Sequence, residues 1–338
     1  MNEVEFIRKF IPEYTEKLIL RFKILDYIST MSPIGRRNIA SYFSLSERTI
    51  RNEMEFLSNM GFIEIIKSGA IITDFGNEML YNLRDTVNKF RYNEDISGKL
   101  KEILNIKEVI VCDSYDDEQL GKRHMSKIAA EYFLNKLSDN LVIGISGGTT
   151  VKSFVEVMNS RKKFNNLSVI PARGSLGNGL EYQSNIVANE LSKKLNANFF
   201  GTFLPDYLDE LTFDKLKSLN EVRLLTEYLE KIDILVFGVG RADKMAKRRS
   251  LSEKEIEILN ENGAVSEAFG NYFDIYGNIV FSSNTIGLDI YKYLKIKDVI
   301  AVAGYGDKEK AIISICRIRK DMTLITDRLT AEKILKIL

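Results

Sequence analysis

Apolar positions along the chain follow two rhythms. Up to about residue 90 most recur at helical spacing, and beyond it they come as short unbroken runs between helical stretches. Leu18, Phe22, Leu25 and Ile28 fall on one face of a helix over 15–30, which Met31-Ser32-Pro33 ends. A second helix is expected over 35–43. A third runs from Ser46 or Glu47 to about Asn59, stopped by Gly61 and capped by Ser44 with Glu47 or by Ser46 alone. Residues 62–67 and 70–73 then read as two strands joined across Ser68-Gly69, and another helix is expected over 73–90.

On the third helix Ile50, Met54 and Leu57 form the stripe that a core would bury, so Arg48, Arg51, Asn52 and Glu55 face away from it. Two guanidiniums and an amide on one outer face are what a recognition helix needs. Arginine takes a phosphate or a guanine edge and asparagine an adenine edge. A mixed-charge face can also be merely solvated; the hairpin that follows decides for DNA, because three helices and a hairpin are the order of a winged helix-turn-helix. Lys67 at the wing tip and Arg36-Arg37 at the start of the second helix are placed to hold the phosphate backbone.

The polar stretch 91–102 reads as a hinge, which divides the chain into residues 1–90, a DNA-binding domain with a linker helix, and residues 91–338. In the larger part, apolar runs at 109–111, 141–145, 167–170, 234–239, 299–303 and 324–325 alternate with helical patterns, the rhythm of a doubly wound parallel α/β sheet. Ligands of such sheets sit where strand ends meet helix N-termini. Four loops there carry chemistry. Ser146-Gly147-Gly148-Thr149-Thr150 offers backbone N–H groups and hydroxyls to an anion, without the lysine of a Walker A loop. The loop 171–177 puts Arg173 among glycines, with Glu181 and Gln183 beyond it as partners for sugar hydroxyls. The loop 238–243 leads to Arg248-Arg249, and the loop 304–308 ends on Lys308. Cations at three strand ends beside one anion-binding turn imply a polyanionic small ligand.

Composition changes little in this picture. The 338 residues are 45% apolar and 28% charged, ordinary for a folded chain, and the length suggests two domains. A net charge of +1, with 11 basic and 11 acidic residues over 1–84, gives no bulk attraction for nucleic acid, so DNA binding rests on arrangement. No apolar stretch is long enough for a membrane span and no secretory leader is visible, which makes the cytoplasm the expected location. Cys112 and Cys316 stand apart in apolar runs, and with the single His124 they form no metal set, so core thiols and no metal or cofactor are expected.

The motifs SGGTT, PARGSLG with EYQSN, FGVGRADKMAKRR, GAVSEAFGNYFD, VAGYGDKEKAI and LITD, behind PIGRR and LSERTIRNE, together resemble the central glycolytic genes regulators, a family of SorC/DeoR-like sugar-responsive repressors. The resemblance spans essentially the whole chain. It implies a sensor domain related to sugar-phosphate isomerases and an effector, fructose 1,6-bisphosphate, that releases the repressor from the operator of a glycolytic operon. Motif by motif, it implies that Gly148, Thr149, Thr150, Arg173, Gln183, Arg248, Glu267 and Lys308 hold the effector. It likewise implies that Arg36, Arg37, Ser46, Arg48, Thr49, Arg51, Asn52 and Lys67 meet DNA. The family reads glycine where this chain has Ser175 and Tyr305. No catalytic residue is assigned. The competing reading, a phosphosugar isomerase or deaminase carrying a winged helix, would need Asp243, Glu267 or Asp274 as its base. Repressors of this architecture bind paired half-sites, so a homo-oligomer is expected.

Overall fold

A computed structural model of the chain describes residues 7, 9–92, 96–160, 162–174, 180–201, 210–283 and 287–338. Two compact units emerge, Met1–Asp95 and Ile96–Leu338.

The first unit contains helices α1 (Pro12–Met31), α2 (Arg36–Phe43) and α3 (Glu47–Asn59), strands β1 (Ile63–Ile66) and β2 (Gly69–Ile72), and helix α4 (Asp74–Tyr92). The expected single buried face of α1 is incomplete. Leu18 is only half-buried, whereas Asp26, Tyr27, Ser29 and Thr30 are buried along with Phe22, Leu25 and Ile28. The cause is α4, which packs on α1 and pairs Arg84 with Asp26 (Nη2–Oδ1 3.4 Å). A charge pair taken out of water survives only when matched in this way.

Ser46, not Ser44, caps α3: the Thr49 amide donates to Ser46 Oγ at 3.0 Å, while Ser44 sits at φ +52° and closes α2. Ile50, Met54 and Leu57 are buried as expected, and so is Glu53, held by Arg21 (2.7 Å) and Lys17 (3.6 Å). In the hairpin Ile63 pairs with Ile72 and Ile66 with Gly69, so the turn is Lys67-Ser68 and Gly69 belongs to the strand, one residue earlier than the composition of the turn suggested. Gly69 is needed for closeness. A Cβ there would lie 2.4 Å from the carbonyl carbon of Ile34, whose backbone exchanges hydrogen bonds with Ala70 (3.1 and 2.8 Å). The hinge expected over 91–102 is largely helical, because α4 runs to Tyr92 and another helix covers Ile96–Leu104.

In the second unit, β3 (Glu108–Cys112), β4 (Val142–Ile145), β5 (Ser168–Pro171), β6 (Asn198–Phe199), β7 (Ile234–Phe237), β12 (Asp298–Val302) and β13 (Thr323–Asp327) form a seven-stranded sheet in the order β3-β13-β12-β7-β4-β5-β6, parallel throughout. The strands read as continuous apolar runs because both faces are covered. Ile234 and Val236 pack with Ile143, Ile145 and Val302 on one side, and Leu235 and Phe237 with Ala301 and Leu324 on the other. From β4 the chain proceeds outward to β5 and β6, then returns to β7 and proceeds the other way to β12. The junction of β4 and β7 is therefore a topological switch point, where connections leave the two strand ends in opposite directions and a crevice opens.

Between β7 and β12 lies a second, antiparallel sheet that the sequence reading did not contain: β8 (Gly240–Arg241), β9 (Ser266–Ala268), β10 (Asn271–Phe273) and β11 (Ile279–Ser282), in the order β11-β10-β9-β8. With the helices Ala242–Arg248 and Glu253–Glu261 it closes a small core around Ala246, Leu259 and Tyr272. Cys112 and Cys316 are buried and in no disulfide, and His124 is buried in the helix Glu118–Lys136. Among the described residues no helix is long and apolar enough to cross a membrane.

Candidate functional site

The loop after β4 has the geometry of an anion cradle. Gly148 stands at φ +110° and caps the helix Thr149–Val157 without any side-chain cap, so the first amides of that helix have no partner in side chains. Gly147 is required by closeness, since a Cβ would lie 2.4 Å from the carbonyl oxygen of Tyr182. That same carbonyl accepts the Gly148 amide at 2.8 Å. Ser146 ties the loop to the switch point: its amide donates to Val236 O (3.0 Å) and its Oγ accepts the Gly238 amide (3.2 Å).

Over this crevice lies a cavity of about 530 Å³, large enough for a phosphorylated hexose. All eight residues carried over from the family motifs line it: Gly148, Thr149 and Thr150 after β4, Arg173 after β5, Gln183 before the helix Ser184–Leu195, Arg248 at the end of the helix Ala242–Arg248, Glu267 on β9 and Lys308 before the helix Glu309–Ile318. Tyr182, Lys247, Ser250, Met245 and Phe269 line it as well, and none of these was singled out by sequence reasoning. Glu181 and Arg241 do not line it. Ser175, with the rest of 175–179, lies outside the described residues.

Charge in the cavity is one-sided. Among the described residues that line it, Arg173, Lys247, Arg248 and Lys308 are cationic and Glu267 alone is acidic. That carboxylate is already engaged: Oε1 accepts Arg173 Nη1 at 2.6 Å and the Gly270 amide at 3.1 Å, and lies 2.9 Å from Arg249 Nη2. The sequence reading gave Glu267 to a sugar hydroxyl; in the structure it lines the cavity and also holds Arg173. Arg249, nearly inaccessible, lies at the same carboxylate; the sequence reading named it beside Arg248 but not its pairing with Glu267, which comes from β9. Burial, aided by Lys122, Arg248 and Lys244, pushes the Lys308 ammonium down to about 8, whereas Glu118 opposes the shift. Crowding of cations is what an anion would relieve.

Each of the carboxylates named as a possible base, Asp243, Glu267 and Asp274, is hydrogen-bonded to neighbours. Asp243 is held bidentately by Arg241 (3.0 and 2.8 Å), whose hydrogen bonds keep it below the usual carboxylate range. Asp274 accepts from Tyr276 and Asn278 within its own turn. Burial pushes Asp274 up, but these hydrogen bonds outweigh it and hold its pKa low. Among the described residues, no group of three His, Cys, Asp or Glu side chains is arranged to hold a metal ion.

In the first unit, Ser46, Arg48, Arg51, Asn52 and Glu55 are exposed on α3, opposite its buried stripe, and Thr49 is half-buried. Arg51 pairs with Glu55 (2.8 Å), and Arg36 and Arg37 share Glu47 (3.2 and 3.5 Å). These exposed pairs are weak and exchange readily for phosphate. Lys67 is exposed at the hairpin turn.

Two family models match the chain: Sugar-bind, a sugar-binding domain, over residues 88–336, and the CggR N-terminal DNA binding domain over residues 18–87. The central glycolytic genes regulator of Bacillus subtilis (strain 168) is 30% identical over 338 residues, 99% of each chain. Its namesake from Priestia megaterium is 30% identical over 98% of each. Among solved structures, a SorC family transcriptional regulator from Enterococcus faecalis is similar at TM-score 0.66 and 27% identity, over 72% of this chain and 100% of the other. The full-length sorbitol operon regulator SorC of Klebsiella pneumoniae, at 20% identity, shares the fold with TM-score 0.67 over 99% of this chain and 100% of its own. The chain belongs to the central glycolytic genes regulator family, SorC-type transcription regulators that join an N-terminal DNA-binding domain to a C-terminal sugar-binding domain.

Proposed function

We propose that the protein is a sequence-specific transcriptional repressor of glycolytic genes that leaves its operator when a phosphorylated sugar, fructose 1,6-bisphosphate, fills the switch-point cavity. The observation that carries this reading is the charge of the cavity: among the described residues four cations line it, and the one carboxylate among them, Glu267, is shared by Arg173 and Arg249. A neutral sugar would bring no charge to these cations, whereas a phosphate at the uncapped helix start of Thr149 and another among Arg248 and Lys308 would bring two. Gln183 is left to read ring hydroxyls. The engaged state of Asp243, Glu267 and Asp274 favours sensing over isomerase or deaminase chemistry.

The first unit is read as a winged helix, with α3 in the major groove and the β1–β2 turn as its wing. Arg48, Arg51 and Asn52 then face base edges, and Arg36, Arg37, Ser46, Thr49 and Lys67 face phosphates. In this reading the protein works in the cytoplasm as a homo-oligomer on paired half-sites. Release from DNA requires that the effector bind the released state more tightly than the operator-bound one, because only that difference moves the equilibrium.

The test is to select high-affinity duplexes from a random pool with the full-length protein and then titrate the bisphosphate at fixed salt while following DNA anisotropy. Loss of operator affinity on adding the bisphosphate, without consumption of the sugar, is expected. Unchanged affinity would overturn the effector assignment, and turnover of the sugar would favour the enzyme.

A further inference from the structure

We infer that Tyr305 is a positioning residue for Lys308: its ring, seated over Gly121, locks the loop between β12 and the helix Glu309–Ile318 so that the lysine faces the cavity. The inference rests on the reading of that cavity as a phosphosugar site. Its first support is the backbone. Tyr305, Gly306 and Asp307 stand in succession at φ +55°, +73° and +54°. Glycine takes that region freely, but a bulky side chain does so only when its surroundings compel it.

The surroundings do compel it. The Tyr305 amide donates to Asp327 Oδ2 at 2.9 Å and to Thr330 Oγ1 at 3.2 Å, and its phenol oxygen accepts the Tyr115 amide at 3.3 Å. The ring is buried, and burial raises the pKa of its hydroxyl, so the group stays neutral. Gly121, on the helix Glu118–Lys136, leaves the notch that the phenol occupies: a Cβ there would lie 1.9 Å from Tyr305 Oη. Gly304 is likewise obligatory, since its Cβ would lie 2.3 Å from Asp327 Oδ2. The loop is thus pinned to two separate elements just before Lys308.

The pin also governs the electrostatics of the lysine. The helix that seats the ring carries Glu118 and Lys122, and the helix Ala242–Arg248 carries Lys244 and Arg248; these are the charges that act on Lys308. A loosened loop lets the ammonium reach solvent. It then regains an ordinary pKa and gives up its place at the anion site. A tyrosine that merely filled space would not control where Lys308 titrates.

The experiment uses the full chain with fructose 1,6-bisphosphate as probe and the variants Tyr305→Gly, Tyr305→Phe and Gly121→Ala. Tyr305→Gly suits the positive φ, and Gly121→Ala displaces the ring without touching the loop itself. Calorimetry should show binding weakened about tenfold in Tyr305→Gly and Gly121→Ala, and within about twofold of the parent in Tyr305→Phe, which keeps the ring. Acylation of Lys308 followed by mass spectrometry across pH, without ligand, should place its titration near about 8 in the parent and Tyr305→Phe. In Tyr305→Gly it should move up toward the ordinary lysine value of about 10.4. Unchanged bisphosphate affinity and an unchanged Lys308 profile in Tyr305→Gly would overturn the inference. If the parent bound no bisphosphate while the Lys308 profile moved as described, the phosphosugar reading would fall and the positioning role would stand.

Discussion

Replacing Glu267 by glutamine removes the one negative charge that Arg173 and Arg249 share while keeping the size of the side chain. Glu267 Oε1 lies 2.6 Å from Arg173 Nη1 and 2.9 Å from Arg249 Nη2, and the three side chains are 2%, 10% and 1% exposed, so water cannot screen what is left behind. Breaking a buried ion pair by neutralising one partner costs about 3–5 kcal/mol, and here two guanidiniums lose the same counter-charge. For a unit of this size each kcal/mol moves the melting temperature by about 2–4 °C, so the sensor transition of Glu267→Gln should fall by roughly 6–20 °C. Differential scanning calorimetry of the full chain measures it. A transition within about 2 °C of the parent would refute the anchoring role, because it would mean that the two arginines are solvated or paired elsewhere.

Other expectations follow from the same geometry. Arg248→Glu places a negative charge on an exposed side chain of the cavity wall, and should abolish the response of operator binding to the bisphosphate while affinity for DNA alone is retained; anisotropy titrations separate the two. Lys308 titrates near about 8 in the unliganded protein, and a bound phosphate raises that value. Binding therefore takes up a proton above that pH, and bisphosphate affinity should be level between about 7, above the second phosphate ionisation at about 6, and about 8, and fall by up to tenfold per pH unit above that, as read by calorimetry. Arg48→Ala, at an exposed position assigned to base edges, should weaken operator binding by about 1–3 kcal/mol and relax the sequence preference at the base it meets, with little change in melting temperature.

How far the sequence could be read depended on how many neighbours each feature needed. The central strands were legible because burial on both faces makes runs such as Ile234–Phe237 apolar at every position. The glycines of the loop after β4 were legible because backbone close to an anion or another chain tolerates little else. The antiparallel sheet β8–β11 was not, since strands as short as Gly240–Arg241 carry no period. For the same reason the partner of Glu267 was invisible: Arg249 follows Arg248 in the chain, yet one is buried against β9 and the other exposed at the cavity, a difference made by tertiary packing alone. Glu53 and Asp26 teach the same lesson in the first unit, where cations from other helices make burial of a carboxylate tolerable. In the hairpin, turn composition favoured Ser68-Gly69, whereas the approach of Ile34 fixed the register one residue earlier.

The central claim, that the switch-point cavity senses a phosphorylated sugar, is tested most directly by thermal unfolding of the full-length protein with fructose 1,6-bisphosphate, fructose 6-phosphate and fructose. A ligand at 100 times its dissociation constant adds ~2.7 kcal/mol, enough to move the transition by several degrees. The shift should be largest for the bisphosphate, smaller for the monophosphate and absent for fructose. Equal shifts with fructose and its phosphates, or none with any of them, would contradict that claim.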